Sequence, residues 1–68
     1  MFNNSKVGDK VICNGFPGIV IRNKHSPDSE WMGGIENGEE WGMVEVRLAA
    51  GAVCVSDTVP NVIPQKKG

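Results

Sequence analysis

The chain has no tyrosine, only one histidine and no excess of basic residues. Among its 68 residues, seven are Lys or Arg and eight are Asp or Glu, giving a formal net charge of −1. Tight binding to a phosphate backbone requires many lysines and arginines. The composition therefore disfavours a nucleic-acid partner. His25 has no second histidine and no convergent cysteine pair near it in sequence, so we expect it to be a surface residue.

Long apolar runs and cysteines are also scarce. No run approaches the roughly 18 residues that cross a membrane as a helix, and the first residues lack a signal-peptide core. The two cysteines, Cys13 and Cys54, make neither a metal set nor a disulfide framework. We therefore expect a cytoplasmic protein with reduced thiols, no membrane partner, no metal and no cofactor.

Catalytic patterns are missing as well. No serine lies in a Gly-x-Ser-x-Gly turn, and no glycine pattern forms a phosphate-binding loop. Five acidic residues cluster in the middle of the chain, and a solvated acidic loop is their simplest interpretation. They are Asp28, Glu30, Glu36, Glu39 and Glu40.

What the chain does contain is a series of short β segments separated by turn residues. Gly15-Phe16-Pro17-Gly18 is a tight-turn sequence. Alternation of apolar and polar residues, with β-branched residues at consecutive positions, favours strands on both sides of it. The predicted strands are 10–14, 18–23, 43–48, 52–56 and 62–63, with a 3₁₀ turn at 57–61.

The alternation also predicts which side chains face the core. Val20 points inward in the second strand, while Ile19 and Ile21 point outward. In the third strand one face carries valine and leucine and the other carries Met43, Glu45 and Arg47. The predicted inward residues of the third and fourth strands are Val44, Val46, Leu48, Val53 and Val55.

The segment 24–41 is an insertion between the second and third strands. Asn37-Gly38 is a strong signal for a two-residue hairpin turn. Such a turn places Glu36 opposite Glu39, Ile35 opposite Glu40 and Gly34 opposite Trp41. After a first part, 24–29, that reads as loop, the insertion is therefore predicted to be a β-arm that extends the third strand, with a mobile loop as the alternative.

This arm concentrates the large apolar residues that the barrel core does not need. The predicted contact residues are Trp31, Met32, Ile35, Trp41 and Met43, with Ile19 and Ile21 extending the surface. Tryptophan and methionine are enriched at protein interfaces. Two other interpretations stay open: the residues form a lid over the barrel end, or the indoles form a small-molecule site.

The layout from Val7 to Pro64 resembles the SH3-like barrel superfamily. Glu39-Glu40-Trp41 before a strand, and Gly51-x-Val53-x-Val55 before the turn, look like the back half of an SH3 domain, whose groove binds polyproline peptides. The chain has no tyrosine for such a groove, and only Trp41 and Pro60 match groove positions. Gly8-Asp9-x-Val11 with Gly18-x-Val20 resembles the opening of a KOW module, which implies binding to RNA or protein.

A third resemblance is to the type II dihydrofolate reductase of plasmids and integrons. Gly8-Asp9-Lys10-Val11, Gly18-Ile19-Val20 and Gly51-Ala52-Val53-Cys54-Val55-Ser56 match its layout. That family forms a tetramer of SH3-like barrels around a central active-site pore. The family's valine-glutamine-isoleucine-tyrosine motif corresponds to Val53-Cys54-Val55-Ser56, which lacks the glutamine and tyrosine that hold cofactor and folate. The resemblance therefore implies assembly more than reductase activity. It is also in keeping with a mobile-element or phage source.

Together these observations predict an all-β, five-stranded SH3-like barrel at 7–64, between flexible termini at 1–6 and 65–68. The leading hypothesis for function is a non-catalytic module that binds a protein partner or forms a homo-oligomer. One alternative is an oligomeric-barrel enzyme or small-ligand binder with Lys10, Cys54 and Ser56 facing a pore. Another is a KOW-like nucleic-acid-binding module.

Overall fold

The computed structural model describes residues 2–65, and these residues form an all-β structure, as predicted. One short 3₁₀ helix, Glu30–Met32, interrupts the strands. Within the described residues no helix is long and apolar enough to cross a membrane. The six strands are β1 Lys10–Cys13, β2 Phe16–Asn23, β3 Gly33–Glu36, β4 Glu39–Leu48, β5 Gly51–Ser56 and β6 Val62–Pro64.

The strands make a single antiparallel sheet in the order β3-β4-β2-β1-β6, with β5 also paired to β4. The sixth strand, absent from the five-strand prediction, is β3 in the arm. Over residues 2–65 no ladder joins β5 to β6 or to β1, so the sheet is not closed into a barrel. The last strand returns to pair with the first.

The core lies on one face of this sheet and is made mostly of valines. Val20 pairs with Val46 across β2 and β4, so both side chains point to the same face. Val11 and Cys13 share that face from β1, as the alternation predicts. The buried cluster is Val11, Cys13, Val20, Val44, Val46 and Val62, with Leu48 and Val55 packed against it.

The pairing of β2 with β4 contains a register shift, which affects the outer face, the face of the sheet opposite the core. The pairing with β4 shifts between Val20 and Arg22, which then lies opposite Glu45. The shift is of the β-bulge type, in which one strand supplies an extra residue. Ile19 is exposed and Ile21 is half-buried.

The predicted 3₁₀ turn at 57–61 is not present. The amide of Val62 donates to the carbonyl of Thr58 at 2.9 Å, which spans four residues and not the three of a 3₁₀ turn. Thr58 also forms an isolated bridge to Phe2. The 3₁₀ helix of this fold precedes β3 instead, at Glu30–Met32.

The segment 1–6, which the sequence predicts to be flexible, makes hydrogen bonds to the rest of the structure at Asn3 and Ser5. Asn3 and Ser5 are hydrogen bonded to Asp57, which closes the N-terminal segment onto the end of β5. Of the segment predicted at 65–68, Gln65 donates to the carbonyls of Lys10 and Val11. Residues 66–68, like Met1, lie outside the described residues.

Candidate binding surface

The arm is a two-residue hairpin with the predicted register. Gly34 pairs with Trp41, Ile35 with Glu40 and Glu36 with Glu39. Asn37 and Gly38 have φ of 53° and 79°. A type I′ turn needs positive φ at both central residues, and Asn-Gly meets that requirement at low cost.

Two glycines of β3 allow the arm to pack closely. A Cβ on Gly34 would lie 3.0 Å from Nε1 of Trp41, so the indole lies across the bare backbone of Gly34. A Cβ on Gly33 would lie 2.8 Å from Cβ of Lys24. The ammonium group of Lys24 reaches Glu40 at 3.0 Å. The glycines therefore let an indole and a lysine stem cover the arm.

The pairing register separates two predicted contact residues. Because side chains alternate along a strand, Ile35 and Glu40 lie on one face of the hairpin, and Gly34 and Trp41 lie on the other. Ile35 is 77% exposed, whereas Trp41 is half-buried. The two residues consequently cannot form one flat patch.

Trp31 is exposed and yet held in place. It lies in the 3₁₀ helix, and 55% of its surface is accessible. The indole Nε1 donates to the carbonyl of Asp28 at 3.1 Å. The guanidinium carbon of Arg22 lies 5.6 Å from the ring centroid, within the range of a cation–π contact.

Arg22 is itself fixed by several partners. One terminal nitrogen donates to Ser29 Oγ at 2.8 Å and to the carbonyl of Asp28 at 3.0 Å. The other lies 3.6 Å from the Glu45 carboxylate. Since Ser29 is fully buried, Arg22 connects the exposed indole to the interior of the structure.

The two methionines of the predicted surface lie elsewhere. Met32 is fully buried and is not part of the valine cluster. Met43 is half-buried beside a cleft. Trp31 and Trp41 line different depressions, one with Asp28 and Glu30 and one with Phe2 and the acidic hairpin turn. The structure thus separates the five predicted residues, leaving Trp31 and Ile35 as the well-exposed members.

The cleft beside Met43 was not foreseen from the sequence. It has a volume of about 150 Å³. Buried Ser5 and Asp57, which are hydrogen bonded to each other, line it together with exposed His25. The residues that form it come from four separate segments of the chain, so no local sequence signal points to it. They are Phe2, Asn4, Ser5, Lys6, Asn23, Lys24, His25, Gly42, Met43 and Asp57.

The two thiols lie in different environments, and both are free. Cys13 is buried, and desolvation raises its pKa. The Cys54 side chain lies on the outer face next to Glu45 and is exposed. Partial desolvation raises the pKa of Cys54, the Glu45 carboxylate raises it further, and Arg22 opposes both effects.

No group of three or more potential metal ligands occurs in the part of the chain that the structure describes. Lys10 and Ser56, which the pore hypothesis pairs with Cys54, are also exposed. Neither protein-family models, nor curated proteins, nor solved structures give a match to this chain.

Proposed function

We propose that this chain is a non-catalytic module that binds a protein partner and also self-associates. The observation that carries the proposal is Trp31, a large aromatic side chain that is exposed but fixed by Asp28 and Arg22. Binding hot spots are enriched in tryptophan and arginine. A side chain that is ordered before binding also loses less conformational entropy when the partner arrives.

The charges around the indole indicate the kind of partner. Asp28 and Glu30 line the same depression as Trp31. Three more carboxylates lie in the hairpin, and within residues 2–65 only that of Glu40 is paired with a lysine. A basic segment with an apolar or planar side chain would complement this surface, since complementary charge raises association rates and excludes wrong partners.

We further propose an SH3-like arrangement and a cytoplasmic location for this module. The path β6-β1-β2-β4-β5, in which the last strand pairs with the first, supports the former. The two free thiols support the latter, because disulfides are rare in reducing compartments.

The experiment is affinity capture from a cell lysate with three forms of the chain: the natural sequence, Trp31→Ala and Phe16→Ala. Phe16 is a matched control because it is 64% exposed and lies in the turn region at the start of β2. A protein retained by the natural sequence and by Phe16→Ala, but lost with Trp31→Ala, supports the proposal. Capture that is unchanged by Trp31→Ala, or absent throughout, overturns it.

A further inference from the structure

Strand β5 is a free edge of the sheet. It pairs with β4 and with no other strand in residues 2–65. Just beyond it, the amide of Asp57 donates to the carbonyl of Gly42 at 3.0 Å. In an antiparallel ladder, alternate residues turn their amide and carbonyl groups toward the same neighbour. Val53 and Val55 therefore bond to β4, and the backbone groups of Ala52, Cys54 and Ser56 point away from the sheet.

This edge lacks the features that protect natural sheet edges. Gly51-Ala52-Val53-Cys54-Val55-Ser56 contains no charged residue and no proline. Edge strands are usually protected by lysines, prolines or bulges, because free amides and carbonyls invite pairing with another chain. The other edges carry such features: β6 ends in Pro64, and β3 ends in Glu36 opposite Glu39.

We propose that β5 pairs with β5 of a second copy of this chain, antiparallel and centred on Cys54. This pairing rests on the proposed function, because it is the contact by which the chain would self-associate. Its residues are separate from Trp31. With that centre, Cys54 lies opposite Cys54 of the second copy, and Ala52 lies opposite Ser56 of the second copy. In this register the outward amides and carbonyls of Ala52, Cys54 and Ser56 all form hydrogen bonds with the second copy. A register centred on Val53 or Val55 would leave one of these three residues without a partner in each strand.

The side chains fit the same arrangement. Val53 comes to lie opposite Val55 of the second copy, on the face that carries the core. Val53 is 38% exposed, although its register partner Val46 is fully buried. Pairs of β-branched residues across strands stabilise a sheet. The dimer would therefore extend the valine core across the two copies.

Charge does not oppose the pairing. The nearest acidic residue on the outer face is Glu45, one strand inward from Cys54. In the dimer, Glu45 of one copy and Glu45 of the second copy are separated by three strand spacings, about 14 Å. That distance exceeds the Debye length of about 8 Å at physiological ionic strength. Because the interface consists of one ladder, we expect a dimer that dissociates in the micromolar range.

Sedimentation velocity at micromolar chain concentrations tests the β5 pairing by comparing the natural chain with Cys54→Pro and Cys54→Ser. Proline removes the outward amide of residue 54 but no amide that bonds to β4. Serine keeps that amide. We expect a concentration-dependent dimer for the natural chain and for Cys54→Ser, and a monomer for Cys54→Pro. A natural chain that is monomeric throughout overturns the proposal, as does a Cys54→Pro dimer or the loss of the dimer in Cys54→Ser.

Circular dichroism checks that Cys54→Pro is folded. If Cys54→Pro does not fold, Val53→Lys serves as the second variant. It places a cation opposite Val55 of the second copy, at a position that is partly exposed in the single chain. A dimer of Val53→Lys as strong as that of the natural chain overturns the proposal. Trp31→Ala should dimerise normally, so failure of the partner-binding surface and failure of this edge give different results.

Oxidation with diamide reports the register. The two Cys54 thiols lose two electrons and two protons when they form one S–S bond. Diamide accepts these two electrons and two protons and is reduced to the hydrazine. Directly opposed residues are about 5.5 Å apart between Cα atoms, which is within disulfide range. We expect a covalent dimer from the natural chain and none from Cys54→Ser. A natural chain that forms no covalent dimer while sedimenting as a dimer overturns the Cys54-centred register.

Discussion

Ser5 and Asp57, which are 52 positions apart in sequence, are joined by two short hydrogen bonds. The backbone amide and the hydroxyl of Ser5 each donate to a different oxygen of the Asp57 carboxylate, both at 2.7 Å. Asp57 is 4% exposed. A buried carboxylate is costly unless its oxygens accept hydrogen bonds. The N-terminal segment supplies them and so becomes part of the fold.

This relationship predicts that Asp57→Ala destabilises the chain by about 2–3 kcal/mol, because the buried donors of Ser5 and the half-buried side-chain amide of Asn3 lose a charged acceptor. Urea unfolding followed by circular dichroism measures the change. Asp9→Ala is the matched control, since Asp9 accepts the amide of Lys6 at an exposed site. It should cost below about 1 kcal/mol. Equal losses for the two variants would contradict the role assigned to Asp57.

Two strand glycines should respond differently to alanine. A Cβ on Gly18 would lie 2.6 Å from Cγ1 of Val46 and 2.8 Å from the carbonyl oxygen of Arg47. Because the backbone is part of that contact, we expect Gly18→Ala to cost about 1–3 kcal/mol through overpacking.

Gly42→Ala is the control for this prediction, since its added Cβ would meet nothing closer than Cδ of Lys24 at 3.4 Å. We expect it to be nearly neutral in thermal unfolding. If both variants melt at the same temperature, the close approach of β2 and β4 at Gly18 is not as described.

The environment of Cys54 predicts a pH-dependent reactivity. Desolvation and Glu45 raise its pKa, so less thiolate is present near neutral pH than for an ordinary cysteine. Glu45→Gln removes a group that favours the neutral thiol and leaves Arg22, which favours the thiolate. The pKa should fall, and alkylation by iodoacetamide at constant pH should accelerate. The rate is measured by mass spectrometry at concentrations where the chain is monomeric.

Cys13 provides the internal reference for this measurement. It is buried, and desolvation raises its pKa. We expect it to react only after unfolding, at a rate that does not depend on Glu45. A slower reaction of Cys54 in Glu45→Gln would reverse the electrostatic assignment.

The two tryptophans should differ in accessibility. Trp31 is 55% exposed, and Trp41 is half-buried against Gly34. In Trp41→Phe the remaining indole is Trp31, and in Trp31→Phe it is Trp41. Acrylamide quenching of fluorescence should be stronger in Trp41→Phe. Equal quenching constants in the two folded variants would contradict the exposed position of Trp31.

Local patterns explain which features could be predicted from the sequence. The alternation of Val44 and Val46 with charged residues places β4 correctly, and Asn37-Gly38 sets the hairpin register. Both signals act over a few residues, because side-chain direction along a strand and turn geometry are local properties. Trp31 is exposed, and its contact with Arg22 occurs beside a register shift in β2 that the sequence does not reveal.

Other features depended on distant contacts. The frequency of methionine at interfaces predicts Met32 as a contact residue, yet Met32 is fully buried. The segment 1–6 reads as a polar terminus, although Ser5 is held by Asp57. The cleft beside Met43 likewise combines residues from four separate segments of the chain.

The sequence by itself determined the β class, the inward valines and the hairpin turn, because periods of two residues and positive-φ turns are set by neighbouring atoms. Only the tertiary structure decided that the sheet stays open at β5, that Asp57 anchors the N-terminal segment and that Trp31 lies over Arg22. Each of these depends on which strands meet and in what register. Burial across many residues, and the need to satisfy buried polar groups, select that register.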